Sequence, residues 1–283
     1  MIITTTTRRI CLAVAIFAGW FSLASDYAFR PAPITSVRLL DGFWLSRAET
    51  NRLVTVWANF RKSEETGRIA NFARAGKLEN GPFRGIPFDD SDVFKIVEGA
   101  SYTLATCPDP KLDAYLDALI AKMAAAQEPD GYLYTARTLG FTNGMTGKQR
   151  WSNLASSHEL YNIGHMYEAA AAHFAATGKR TLLDVARKSA DLVDKTFGLG
   201  PGQIKGVPGH EEIEIGLCKL YRATGEARYL NLAKFFIDMR GRSDLRGKVF
   251  GAYCQDHIPV LEQTEVTGHA VRAGYLYTGM ADV

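Results

Sequence analysis

From Arg47 onward the apolar residues recur at helical spacing, and the period of two that marks a half-buried strand is scarce. Leu53, Val54, Trp57 and Phe60 fall on one face of a first helix. Val93, Val97, Ala100 and Leu104 mark the next, which stops at Cys107-Pro108-Asp109-Pro110; Leu112, Leu116, Leu119, Ile120 and Met123 mark its partner. Four further helices are predicted at 157–177, 180–197, 210–223 and 226–240, and a last one from near 265 to the chain end. Ahead of them, residues 34–45 read as a short strand and turn. Two long loops interrupt the helices, 64–88 with Pro82 and Pro87 as breakers, and 129–152. Loops of this length in a compact domain are usually functional or disordered.

A weak repeat underlies the helical pattern. Ala176-Thr177-Gly178 and Ala223-Thr224-Gly225 each separate two helices and lie 47 residues apart, and Leu183 and Ala186 recur as Leu230 and Ala233. Leu104-Ala105-Thr106 is a degenerate earlier copy. The glycine supplies the left-handed residue that ends a helix, and a new helix starts at once. Antiparallel helix pairs repeated at this period mean a solenoid or a closed toroid of hairpins. The expected fold class is therefore all-α. About eight helices are expected where a six-hairpin toroid needs twelve, and the last stops at Ala281-Asp282-Val283 without cap or polar tail. The expectation is an open arc, truncated at its C-terminal end, with one uncovered apolar edge.

Composition changes this picture little. Lys and Arg number 33 against 30 Asp and Glu, a net +3, so no global charge points to nucleic acid or a membrane surface. The first 24 residues differ: Arg8 and Arg9 precede an apolar run from Ile10 to Ala18, and Ser22-Leu23-Ala24 offers a cleavage site. The run is short of the roughly 20 residues that span a bilayer, so residues 1–24 read as a signal peptide and the chain as exported, periplasmic or secreted. The Arg-Arg pair also weakly resembles a twin-arginine signal. After cleavage no membrane contact is expected. Cys107, Cys218 and Cys254 would remain, at spacings that match no zinc motif.

Four polar clusters lie at helix starts. Asp89, Asp90 and Asp92 follow Phe88, and carboxylates there complement a helix dipole, though Phe88 and Asp90 also suit a sugar. His158 and His165 are seven apart on one helix, but Asn162 stands where a zinc-protease helix needs its second histidine. His210 and Glu214, four apart, read as a hydrogen-bonded pair that orients the imidazole. His269 follows Gly268, three residues before Arg272. His158, His210 and His269 thus open alternate helices, and a hairpin toroid gathers such ends at one mouth. Three imidazoles converging on one polar pocket, with acids and aromatics around it, are suited to grip a sugar.

Six motifs carry a resemblance: Asp41-Gly42-Phe43-Trp44-Leu45-Ser46-Arg47, residues 88–95, Gln127-Glu128-Pro129-Asp130-Gly131-Tyr132-Leu133, residues 158–165, residues 209–215, and Gly268-His269-Ala270-Val271-Arg272. Across about residues 34–283 their order and spacing are similar to glycoside hydrolase family 127, the β-L-arabinofuranosidases. The resemblance implies that residues 34–283 are the N-terminal portion of an (α/α)6 barrel, here incomplete. It implies a retaining, exo-acting enzyme that removes β-L-arabinofuranose from plant-type glycans, with a carbohydrate as partner and a homodimer possible for the full-length form. It implies that His158, His210 and His269 contact the arabinose and that Phe88 borders it. The family's nucleophile is a cysteine thiolate held on Zn²⁺ by three Cys and one Glu, with a second Glu as general acid/base. Those residues stand in a Glu-Thr-Cys segment and a Cys-Cys pair, neither of which occurs here. No catalytic residue and no metal ligand is therefore expected in this chain, and zinc only in the full-length enzyme. Two alternatives stay open: a hydrolase of another pectin-type sugar, and a non-catalytic sugar-binding protein.

Overall fold

The computed structural model describes residues 32–283; the expected leader, residues 1–24, lies outside them. The chain divides into two units, Met1–Pro33 and Ile34–Val283, and the second carries all that follows. Its helices are α1 Gly42–Thr50, α2 Val56–Glu65, α3 Arg68–Ala75, α4 Asp90–Thr106, α5 Pro110–Ala126, α6 Thr135–Thr138, α7 Glu159–Thr177, α8 Thr181–Thr196, α9 Ile213–Thr224, α10 Ala227–Met239, α11 Ser243–Arg246 and α12 Ala270–Asp282. Among the described residues there is no strand, only isolated bridges at Phe197–Ile204 and Gly251–Asp256. None of these helices is long and apolar enough to cross a membrane.

The helices form two layers. α2, α4, α7, α9 and α12 follow one another side by side, and α3, α5, α8 and α10 pack behind them in the same order. This is an incomplete (α/α) barrel of successive hairpins. α7 sits between α4 and α9 with α8 behind it, and residues 159–170 are buried without a break. α8 is amphipathic instead: Leu182, Leu183, Val185, Ala186, Ala190 and Val193 are buried while Asp184 and Asp191 face out. Gly178 and Gly225 end α7 and α9 in the left-handed region, at φ 72° and 75°, as the repeat requires.

Three expectations are corrected. Residues 34–45 form no strand: a 3-10 turn spans Ile34–Ser36 and a helix starts at Gly42, because no second strand is present to pair with. The loop expected at 64–88 contains α3, which buries Ile69, Phe72, Ala73 and Ala75. Only Thr66 and Gly67, the latter at φ 85°, separate α2 from α3. The last helix starts at Ala270 rather than near 265. The 129–152 loop is irregular apart from α6.

Apolar side chains are exposed at both ends of the arc. Leu39, Leu40, Phe43, Trp44, Leu53 and Val54 are open along the N-terminal segment, and Leu261, Val266, Val271 and Met280 around α12. A cavity of about 770 Å³ lies between the N-terminal segment and α4, lined by Ile34, Val37, Leu39, Tyr102 and Thr103 among others.

Candidate functional site

The N-termini of α4, α7, α9 and α12 carry the four residues picked out from the sequence. Phe88 stands two residues before α4, His158 caps α7, His210 lies in the turn that leads into α9, and His269 caps α12. The Phe88 and His158 rings pack at 4.9 Å between centroids, and the His158 and His210 rings at 5.6 Å. Two tyrosines complete the wall. Tyr161 lies 4.4 Å from His210 and 5.5 Å from His158, and Tyr275 of α12 lies 5.4 Å from His210. His269 makes no ring contact with the other three. It packs on Tyr253 at 5.4 Å, and its Nδ1 accepts the Arg272 N–H at 3.4 Å.

Local backbone chemistry sets the polarity of each imidazole. His158 Nδ1 donates to the Ser156 carbonyl at 2.7 Å, and His210 Nδ1 to the Glu211 carbonyl at 2.8 Å. Both neutral rings therefore present Nε2 as an acceptor. His269 has the opposite tautomer when neutral, with Nε2 as donor. Burial holds His158 below its ordinary pKa, Arg272 and Lys95 adding to it against the Ser156 hydrogen bond. His210 is pushed down to about 3, first by burial, then by the positive charge of Arg272 and the neighbouring His158 and His269.

His158 sits at φ 58°, a left-handed conformation rare for a residue with a Cβ. The 129–152 loop holds it there. The Tyr134 hydroxyl donates to the Ser157 carbonyl at 2.6 Å, and the Tyr132 hydroxyl to Glu159 at 2.6 Å. Asp90 accepts the Thr135 N–H and hydroxyl, at 2.8 and 2.5 Å, and burial raises its pKa to about 7. So Asp90 fastens this loop to α4 rather than facing a sugar. The expected His210–Glu214 pair does not form either. Glu214 accepts the Glu212 N–H at 3.1 Å and lies 3.5 Å from the fully buried Arg240. Arg240 also pairs with Glu211 at 2.8 Å and donates to the Pro208 carbonyl, while Arg272 donates to the Gly209 carbonyl. Two guanidiniums therefore fix the turn that aims His210. Gly209 admits no side chain, since a Cβ there would lie 2.2 Å from the Ala155 carbonyl oxygen.

Tyr275, Arg240 and the capping role of Asp90 escape a reading of the sequence. Tyr275 sits mid-helix in an ordinary apolar pattern, and Arg240 ends α10 with nothing nearby in the chain to mark it. Lys95 was visible only as part of the 88–95 motif; its ammonium donates to the Tyr161 hydroxyl at 2.7 Å.

Residues 36–283 match the family model described as β-L-arabinofuranosidase, GH127 catalytic domain. The chain is 42% identical over 233 residues to the non-reducing end β-L-arabinofuranosidase of Bifidobacterium longum subsp. longum, covering 76% of this chain and 35% of that protein. A solved GH127 β-arabinofuranosidase superposes with a TM-score of 0.84 at 51% identity, over 89% of this chain and 40% of that one. The GH127 β-L-arabinofuranosidase of Geobacillus stearothermophilus T6 superposes with a TM-score of 0.80 at 41% identity, over 86% and 41%. The chain thus spans between 35% and 41% of the length of these relatives. On the family match and these likenesses, the chain belongs to glycoside hydrolase family 127, the β-L-arabinofuranosidases.

Proposed function

We propose that Phe88, His158 and His210, with His269 nearby, form part of the sugar-binding wall of an exo-acting, retaining β-L-arabinofuranosidase. The observation that carries this reading is the pair of half-buried imidazoles, each with Nδ1 tied to a carbonyl, which leaves Nε2 of the neutral ring as an acceptor. Two fixed acceptors 5.6 Å apart between ring centroids are spaced to take two hydroxyls of one furanose ring. The Phe88 ring, packed on His158, offers an apolar surface to the C–H face of the sugar. In this role the histidines bind and orient; neither needs to gain a proton.

The family's thiolate–zinc centre does not fit the residues described. Cys107, Cys218 and Cys254 form no disulfide, and none of them belongs to a group of described side chains close enough to hold a metal ion. Burial raises the Cys254 thiol pKa, and its sulfur accepts from Arg272 at 2.9 Å. No step of the family's thiolate–zinc chemistry is therefore assigned to the described cysteines. That observation favours a second reading for the chain taken alone, a sugar-binding protein without turnover. Export by the leader at residues 1–24 remains part of the proposal.

Isothermal titration of the chain with methyl β-L-arabinofuranoside tests the assignment. Saturable binding is expected, weakened by about 1–3 kcal/mol in His158→Ala and in His210→Ala, since each removes one acceptor from a buried hydrogen bond. Binding that neither substitution affects would remove the site from this wall.

A further inference from the structure

We propose that His165, Glu168 and Glu212 form a binding site for a zinc-sized divalent cation, set in the barrel wall beside the candidate sugar pocket and separate from any thiolate centre. His165 and Glu168 lie one turn apart on α7, and Glu212 arrives from the turn before α9. Two glycines bring these elements together. A Cβ on Gly164 would lie 2.7 Å from the Glu212 side chain, and one on Gly216 would lie 2.4 Å from the Gly164 carbonyl oxygen.

The ligand atoms already have the spacing a metal asks for. His165 Nδ1 lies 3.2 Å from Glu168 Oε2 and 3.1 Å from Glu212 Oε1, and the three ligand atoms all lie within 4.8 Å of one another. Tetrahedral zinc with bonds of about 2.0–2.2 Å separates its ligands by roughly 3.3–3.6 Å, so little movement would be needed. One imidazole with two carboxylates is a donor set that first-row divalent cations accept.

Glu212 gives the independent indication. It is 0% exposed, yet neither carboxylate oxygen accepts a hydrogen bond; the imidazole N–H is directed at Glu168 instead. A buried carboxyl group is not left in that state without a proton or a cation to compensate it. Lys219 pairs with Glu98 at 3.2 Å and with Glu168, and Lys95 is held by Tyr161, so neither ammonium hydrogen-bonds to Glu212. Outer contacts suit ligation as well. Tyr275 Oη lies 3.4 Å from His165 Nε2, placed to accept the N–H that a metal-bound imidazole presents, and Lys219 holds the other oxygen of Glu168.

The sequence hid this set, because Glu212 is 44 residues beyond Glu168 (212 − 168) and only the hairpin packing joins them. The test is Co²⁺ titration of the full chain after chelator treatment, followed by visible absorption and metal analysis. One Co²⁺ per chain is expected, with a tetrahedral d–d band and no thiolate charge-transfer band. Glu212→Gln and His165→Gln should each bind at least tenfold more weakly while keeping the helical circular dichroism signal. Asp113→Asn, in the other group of possible ligands, should leave binding unchanged. Folded chain that takes up no Co²⁺ would overturn the proposal, and so would uptake equal in Glu212→Gln. In either case a proton shared between Glu168 and Glu212 would be the occupant. None of these outcomes bears on arabinofuranoside binding, which is measured separately.

Discussion

His158 and His210 do different things to stability, and the difference is testable. His158 holds φ 58°, which costs a residue with a Cβ roughly 1–2 kcal/mol and glycine almost nothing. His158→Gly should therefore be more stable than His158→Ala by about 1 kcal/mol in urea unfolding, while both lose sugar binding alike. Equal stability of the two variants would mean that the strained conformation is not retained. His210 is held neutral, with its pKa pushed down to about 3. The unfolded chain binds the proton near pH 6.5, so this residue's contribution to stability is full above that pH and is lost as pH falls from about 6.5 toward 3. Glu168, lowered to about 2 mainly by His165, Glu212 and Lys219 against the cost of burial, adds a loss below about pH 4.5. Asp90 and Glu211, both raised to about 7 by burial, work the other way. The stability advantage of wild type over His210→Gln should accordingly shrink between pH 7 and pH 4. An advantage constant with pH would contradict a neutral imidazole at this position. At this scale the histidines were legible because each opens a helix after a loop. Their tautomers were not, because they depend on the Ser156 and Glu211 carbonyls, which lie in position only after the turns have formed.

At the scale of the element, the helices were legible wherever an apolar stripe had room to repeat. α4, α5, α7, α8, α9 and α10 fall close to their predicted spans for that reason. α3 was missed because it is only eight residues long and sits among glycines. Its stripe of Ile69, Phe72 and Ala73 is too brief to stand out from a polar stretch. The 34–45 segment misled in the opposite direction, since alternation over a few residues marks a strand only if a partner strand exists. Packing between α7 and α9 rests on the Gly164–Gly216 contact, which no periodicity reveals. Gly216→Ala should destabilise the chain by about 1–3 kcal/mol, the usual range for overpacking, as read from the shift in denaturation midpoint at unchanged slope. Because this contact also sets the approach of Glu212 to His165, the same variant should weaken Co²⁺ binding. Full stability in Gly216→Ala would show that α7 and α9 have room to separate.

For the whole molecule, the arc of hairpins brings Phe88, His158 and His210 into ring contact beside the N-termini of α4, α7 and α9, while leaving apolar side chains open at its two ends. Leu261 and Val266 near α12, and Trp44 with Leu40 before it in the chain, are more than two thirds exposed, and patches of this kind seek partners. The isolated chain should therefore self-associate in sedimentation at micromolar concentration, and Leu261→Lys with Val266→Lys should reduce that association. A purified chain should also fail to hydrolyse aryl β-L-arabinofuranosides, since none of its described cysteines belongs to a group that could hold a metal ion; turnover above background would refute that assignment. The repeat of Ala-Thr-Gly made the hairpin architecture legible, and the six motifs made the family legible. The pairing of His158 with His210 needed the fold, because 52 residues and a whole hairpin separate them (210 − 158). The most direct test of the sugar-binding wall is a long-range proton–nitrogen NMR spectrum of the imidazoles, recorded with and without methyl β-L-arabinofuranoside. The account predicts that the Nε2 resonances of His158 and His210 shift together and saturate at one ligand concentration, while the buried His173 of α7 stays unmoved. Shifts absent from both pocket histidines at saturating ligand would contradict it.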